Sequence, residues 1–449
     1  MTRSSLKKRF LGAAKWTLIS HVLSQLVRFA SSLVLTRLLA PDLYGVMAVG
    51  YLVITGLSMV SDIGLTGGAI RSKRGDEPAY LNVTWIVSIV RGALIMMFAL
   101  ALSGALSMDA GQAWLPADSV YRDARIPTLI AVVSLYSLIA GFESTRSVYA
   151  RRHLELERLV KIDVACQITS TACILAWAWF SPTLWALAFG WIVSVAMKTT
   201  LSHLALPGPP NRFQWDQNAF HEVFDFGKWV FLSSTLTYLL VTGDRLLLGA
   251  YVNAETMGFY SIAVLLVGAL RTAVQKITAH AALPALSEVA RDRPEIFKAT
   301  LYRIRRPLDI VCLFAAGALV YLGEPIVRIL YDPRYAPAGW MLGLLGLSLV
   351  AVRLDVFEHG LIAMGRVKLL SSLNAARLLG LLALVPLGYH FAGTRGAIAG
   401  VAASFVVNAV VLLALQARMG LFEWRRELMA LPEFAAGLGF GWLAARALQ

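Results

Sequence analysis

Side chains able to bind an anion recur at helical spacing inside segments that are otherwise apolar. In the first of these segments His21, Ser24, Gln25, Arg28, Ser31 and Ser32 fall on one helical face, and Arg28 is the only fixed charge among them. The second carries Tyr51, Thr55, Ser58 and Asp62 on one face, and Arg91 interrupts the third. Later segments hold Ser234, Thr237, Tyr238, Thr242, Asp244 and Arg245; Arg271, Gln275 and Thr278; Arg353, Asp355, Glu358 and His359; and Ser371, Asn374 and Arg377. A guanidinium grips phosphate through two parallel N–H donors, and hydroxyl and amide groups match the hydroxyls of a sugar. The collective pattern therefore suits an anionic, hydroxyl-rich ligand. Arg28, Arg245, Arg271 and Arg377 are the first choices for a cationic lining, with Arg91 and Arg353 next and Ser24, Gln25, Gln275 and Asn374 as neutral contacts. Asp62, Asp244, Asp355 and Glu358 are read as ion-coupling groups or as partners of those arginines. For any one of these residues the competing explanation is a satisfied polar pair between helices.

Bond-making chemistry has no such support. The chain has no Gly-x-x-x-x-Gly-Lys-Ser/Thr loop for ATP and no His-Glu-x-x-His pair for zinc. Cys166, Cys173 and Cys312 fall inside apolar segments and are read as small buried hydrophobes, so neither a disulfide framework nor a metal site is expected. No enzyme activity and no cofactor are anticipated.

The elements that must position these residues are membrane helices. Hydrophobic residues make up 58% of the 449 and charged ones 15%, against roughly half and a quarter in a soluble domain. Apolar runs of about 20 residues suit helices rather than the strands of a barrel. They predict twelve spans, at 14–38, 44–68, 82–106, 126–143, 162–180, 184–204, 228–252, 258–284, 307–330, 338–363, 369–391 and 396–418. A further apolar stretch at 431–448 carries Glu433 and Arg446 and reads either as a thirteenth span or as an interfacial helix. No connection is long enough for a separate soluble domain. The first span is too long for a cleavable signal peptide and lacks a small-residue cleavage site.

The net charge of +14 would point to nucleic acid in a soluble protein, but here the cations gather in alternate connections, and no nucleic acid partner is expected. Arg71, Lys73 and Arg74, then Arg146 to Lys161, then Arg291 to Arg306 share one side with the basic N-terminal residues. The opposite loops at Pro41 to Tyr44, Ser181 to Thr183 and Asn253 to Thr256 hold no Lys or Arg. By the positive-inside rule the N-terminus is cytoplasmic.

The chain also repeats itself. Displaced so that Lys15-Trp16 lands on Lys228-Trp229, Ser20 falls on Ser233 and Gly45 on Gly258 without a gap. The stretch from Leu206 to Phe226, containing Pro207-Gly208-Pro209-Pro210, separates the two copies. This divides the chain into an N-terminal lobe at 1–206, a cytoplasmic linker at 207–227, a C-terminal lobe at 228–419 and an extension at 420–449. Membrane proteins built from two similar bundles usually carry something through the cleft between them.

Two hairpins carry a resemblance. Thr36-Arg37-Leu38-Leu39-Ala40-Pro41-Asp42-Leu43-Tyr44-Gly45 with Ser61-Asp62-Ile63-Gly64-Leu65 resembles the opening hairpin of the polysaccharide transporter family. Asp244-Arg245-Leu246-Leu247-Leu248-Gly249, continued by Met257-Gly258-Phe259-Tyr260-Ser261 and Leu283-Pro284-Ala285-Leu286-Ser287, resembles that family's second-lobe hairpin. The resemblance implies an all-α fold of two six-helix bundles around a V-shaped cavity, shared with multidrug exporters and the peptidoglycan-precursor flippase. It implies passage of a polyprenyl-diphosphate-linked oligosaccharide across the bacterial cytoplasmic membrane by alternating access, among membrane lipids and beside glycosyltransferases and a polysaccharide polymerase. Family members commonly have fourteen spans, and the twelve or thirteen here put in doubt a lipid groove built from the final pair. A multidrug exporter would favour an acidic or aromatic cavity, whereas the charge excess within these spans is basic. A glycan polymerase or ligase would resemble its kind in having a large outer loop, and none here is that long.

Overall fold

A computed structural model of the chain describes residues 3–62, 64–113 and 115–448; the side chains of residues 3–15 and of His21, among others, lie outside the described residues. The described residues form helices joined by turns and loops, with no strand among them. That follows from the composition, because lipid offers no partner to a backbone N–H or C=O and a helix satisfies both internally. Among the described residues nine helices meet the length and hydropathy of a membrane span, or ten if the bent pair Arg125–Gly141 and Arg146–Arg152 counts as one. The chain is a multi-span membrane protein that divides into two compact units, 1–241 and 242–449.

The first unit contains α1 (Arg3–Leu38), α2 (Pro41–Val60), α3 (Pro78–Ser107), α4 (Arg125–Gly141), α5 (Leu156–Phe180), α6 (Leu184–Leu204) and most of α7 (Gln217–Gly249). Between α1 and α2, Ala40 is extended at ψ 154°, as a residue before proline prefers, and Pro41 opens the next helix without losing a needed donor. Arg125 fastens the start of α4 to that of α2, pairing with Asp42 at 2.6 Å and Asp123 at 2.7 Å. Its guanidinium holds the Asp123 carboxyl below the usual carboxylate range.

The stretch expected to be a linker is bonded into this unit. Asn211 Oδ1 accepts from the Ser144 hydroxyl at 2.6 Å, the Arg212 N–H donates to Asn82 at 2.9 Å, and Ala219 and Val223 are buried against Tyr80, Val83 and Val148. Further along α7 the Tyr238 hydroxyl donates to the Leu52 carbonyl at 2.7 Å, its ring lying where a Cβ on Gly56 would stand. The unit therefore continues to Val241, and the boundary falls within α7 rather than at the Pro-rich segment.

The second unit holds the end of α7, then α8 (Ala254–Ile277), α9 (Phe297–Leu330), α10 (Ala338–Gly346), α11 (Asp355–Ala363), α12 (Val367–Arg418) and α13 (Leu431–Ala447). Asn253 caps α8, its side chain accepting from the Thr256 N–H at 2.9 Å. A bend divides α12 at Ala392 and Gly393, and Gly393 has φ 57°, a conformation costly to any residue with a Cβ. Its two halves match the spans expected at 369–391 and 396–418. A Cβ on Gly396 would meet the Gly388 carbonyl at 1.9 Å, so these halves approach backbone to backbone. The last apolar stretch packs as closely: a Cβ on Gly437 would lie 2.2 Å from the Phe314 carbonyl and one on Gly441 2.6 Å from that of Ala318. α13 is thus packed along α9, and Trp424–Ala447 meets the criteria of a span.

Candidate functional site

In the first unit a cavity of about 400 Å³ opens beside α2. Tyr51, Thr55 and Ser58 line it, the face that helical spacing singled out, together with Tyr136 of α4 and Trp191 and Ser194 of α6. Tyr51 and Trp191 meet edge to face with centroids 5.2 Å apart. Beyond Ser58 the helix ends, and Arg91 reaches that end from α3: its Nη2 donates to the Ser58 carbonyl at 2.9 Å and its Nε to the Ser61 hydroxyl at 3.1 Å. A cation at the negative end of a helix dipole is favourably placed. Asp62 sits 3.7 Å from the same guanidinium, and also accepts from the Gly64 N–H at 2.9 Å and the Ser234 hydroxyl at 3.4 Å. Arg91 and Asp62 are therefore brought together.

Arg28 is exposed on α1 and makes no ion pair among the described residues. Ser24 contributes its carbonyl, which accepts from Gln167 of α5 at 3.0 Å, and Gln25 is half-buried one position on. An apolar groove of about 330 Å³ runs between these helices, lined by Val27, Ala30 and Val34 on α1 and by Ile168, Ala172 and Leu175 on α5. Sequence reasoning missed Lys198 of α6, which pairs with Asp163 of α5 at 3.1 Å. The signal was present, since Trp191, Ser194 and Lys198 follow one another at helical spacing.

The second unit gathers most of the remaining choices. Arg271 of α8 and Arg377 of α12 each lie over the ring of Phe405, each 5.2 Å from its centroid. Asp355 lies beside Gln275 and within electrostatic reach of both arginines. Glu358, one turn along α11, and Asp244 act on Arg377 in the same way. Among the described residues neither arginine closes an ion pair within 4 Å. The Asp244 carboxylate accepts from the Tyr260 hydroxyl at 2.6 Å, and the Nε of the neighbouring Arg245 is buried without a hydrogen bond. Asn374 is half-buried one turn before Arg377. The whole forms a charged cluster of three arginines and three carboxylates with an aromatic floor.

Arg353 lies in a different environment. It is 6% exposed and donates to Asp309 at 3.0 Å and to Glu427 at 3.2 Å through both terminal nitrogens. Arg305, fully buried, pairs with the same two acids, at 3.1 Å to Asp309, and Tyr302 donates to Glu427 at 3.0 Å. Two cations and two anions thus close on each other, which ties Arg353 to the packing of α9 against the C-terminal segment. Arg305, expected among the basic residues of a polar connection, is a core residue here.

This architecture is that of an all-helical, multi-span membrane protein built from two compact units. The chain is similar to the lipid II flippase MurJ in an inward closed conformation, with a TM-score of 0.65 at 13% identity over 96% of this chain and 92% of that one. It is also similar to an inward-facing multidrug resistance MATE family transporter of the MOP superfamily, with a TM-score of 0.62 at 11% identity over 95% of each chain. The chain belongs to the polysaccharide biosynthesis protein family, whose sequence profile matches residues 34–338. Its relatives include an uncharacterized membrane protein in the cps region of Klebsiella pneumoniae, 20% identical over 74% of this chain and 66% of the relative. The lipopolysaccharide biosynthesis protein WzxC of Escherichia coli K12 is 19% identical over 74% of this chain and 65% of its own. The teichuronic acid biosynthesis protein TuaB of Bacillus subtilis is 19% identical over 97% of this chain and 88% of its own. The matched region thus spans just under two thirds of the length of the first two relatives. The family expected from the two hairpins is the one found.

Proposed function

We propose that this protein moves a polyprenyl-diphosphate-linked oligosaccharide from the inner to the outer leaflet of the bacterial cytoplasmic membrane by alternating access, for polysaccharide export. The observation that carries this reading is the pair of arginines over Phe405. A guanidinium within a membrane span is costly unless something polar answers it, and here two of like charge share one ring with no ion pair within 4 Å among the described residues. Diphosphate answers both at once, each through a two-pronged charge-assisted contact. When the site is empty, Asp355 and Glu358 balance the cations, and Asp244 and Asp62 are the further positions at which a coupling ion would act. Glycosyltransferases that build the oligosaccharide and a polymerase that consumes it are the enzymes this reading places beside the protein.

The purified chain in proteoliposomes is expected to carry a fluorescent polyprenyl-diphosphate-linked oligosaccharide to the opposite leaflet, where a glycosidase added outside removes its sugars. Rates equal to those of empty liposomes, with transport of a lipophilic cation instead, would point to a multidrug exporter. The orientation, with N-terminus and the Ser287 to Arg305 connection cytoplasmic, is checked by single cysteines and an impermeant thiol reagent on intact cells. Labelling is expected at positions 181 and 253, and labelling at 293 would reverse the topology.

A further inference from the structure

The cavity beside α2 has a property that the polar residues around it lack. Serine and threonine within helices usually return their hydroxyl to a carbonyl one turn back, as Ser61, Thr84, Ser88 and Thr200 do here. The hydroxyls of Thr55, Ser58 and Ser194, the phenols of Tyr51 and Tyr136 and the indole N–H of Trp191 make no hydrogen bond among the described residues, and all six side chains line this one space. Three helices thus present open donors and acceptors around a corner of two aromatic rings, Tyr51 and Trp191. The nearby charges are already answered: Arg91 by Asp62 and the end of α2, and Lys198 by Asp163.

We propose that this cavity is a saccharide subsite, in which the C–H face of one sugar ring packs on Trp191 and its hydroxyls bond to Thr55, Ser58 and Ser194. An aromatic corner also suits a quaternary ammonium ion, but such a site needs a carboxylate to balance the cation, and none is among the described residues that line the cavity. At about 400 Å³ the space is at the small end of ligand pockets, so it reads one or two residues of a glycan rather than a whole repeat unit. The assignment rests on the transport reading above and adds to it the part of the substrate that this cavity recognises.

The test compares two probes on the detergent-solubilised full chain: polyprenyl diphosphate carrying an oligosaccharide, and the same polyprenyl diphosphate bare. The native chain is expected to bind the glycosylated probe more tightly. Trp191→Ala weakens that probe by about tenfold, the scale of a lost aromatic contact, and leaves the bare probe unchanged. Trp191→Phe, which keeps a ring and the fold, retains most of the preference. Equal weakening of both probes by Trp191→Ala, or no weakening of either, overturns the subsite while the transport reading stands. Failure of the native chain to bind either probe overturns both. Trp191-dependent binding of tetraphenylphosphonium in preference to the glycosylated probe would replace the sugar with a cation and overturn the subsite.

Discussion

Arg377→Ala is expected to cut translocation of the lipid-linked oligosaccharide by ten- to a hundredfold at subsaturating substrate while leaving the protein folded and abundant. A hydrogen bond to a charged group contributes about 1.5–3 kcal/mol, and every 1.4 kcal/mol is tenfold. Folding is spared because Arg377 closes no ion pair within 4 Å among the described residues, and Arg271 remains over Phe405 beside the nearby carboxylates. Arg377→Lys should recover only part of the rate, since ammonium is a point charge that lacks the planar fork matching phosphate. Arg271→Ala should behave alike, and the double variant should fall short of the product of the two, because both contacts serve one diphosphate. The measurement is initial rate in proteoliposomes beside thermal stability of each variant. Wild-type transport by a stable Arg271→Ala, Arg377→Ala protein would remove the diphosphate from this cluster.

That prediction was within reach of the sequence, because Arg271 with Gln275 and Asn374 with Arg377 announce themselves by helical spacing within apolar runs. Tyr51, Thr55 and Ser58 were legible in the same way. What spacing does not carry is which helices face one another. Tyr136, Trp191 and Ser194 complete the α2 cavity from α4 and α6; the polar spacing of Trp191, Ser194 and Lys198 is visible, but a single chain gives no sign that these helices meet α2 there. The division into two compact units, which falls within α7, is hidden from the sequence for a similar reason. A Pro-rich segment between two repeats reads as a loose connection, but Arg212 and Asn211 find bonding partners far back in the chain. Arg305 is the sharpest case: with Arg303 and Arg306 it looks like a basic loop, and only contact with Glu427 makes it a core residue.

Glu427 supplies the largest stability effect expected in this molecule. Its carboxylate accepts from Arg305, Arg353 and Tyr302, and with Asp309 it balances two cations of which Arg305 is wholly buried. Closing such a network gains little over well-packed apolar residues, because desolvation offsets the attraction; breaking it by removing one partner leaves an uncompensated buried charge and costs about 3–5 kcal/mol. Glu427→Ala should therefore lower the thermal midpoint in detergent and reduce membrane abundance far more than Arg377→Ala does. Glu427→Gln keeps the shape and loses the charge, so it should be destabilised too. Arg353→Met added to Glu427→Gln restores neutrality in the core, and the pair should be more stable than Glu427→Gln alone. A double variant no more stable than Glu427→Gln would mean that charge balance is not what the four residues provide. A Glu427→Ala protein with native midpoint and abundance but slowed transport would move Arg353 out of the fold's support and back among the residues that act on substrate.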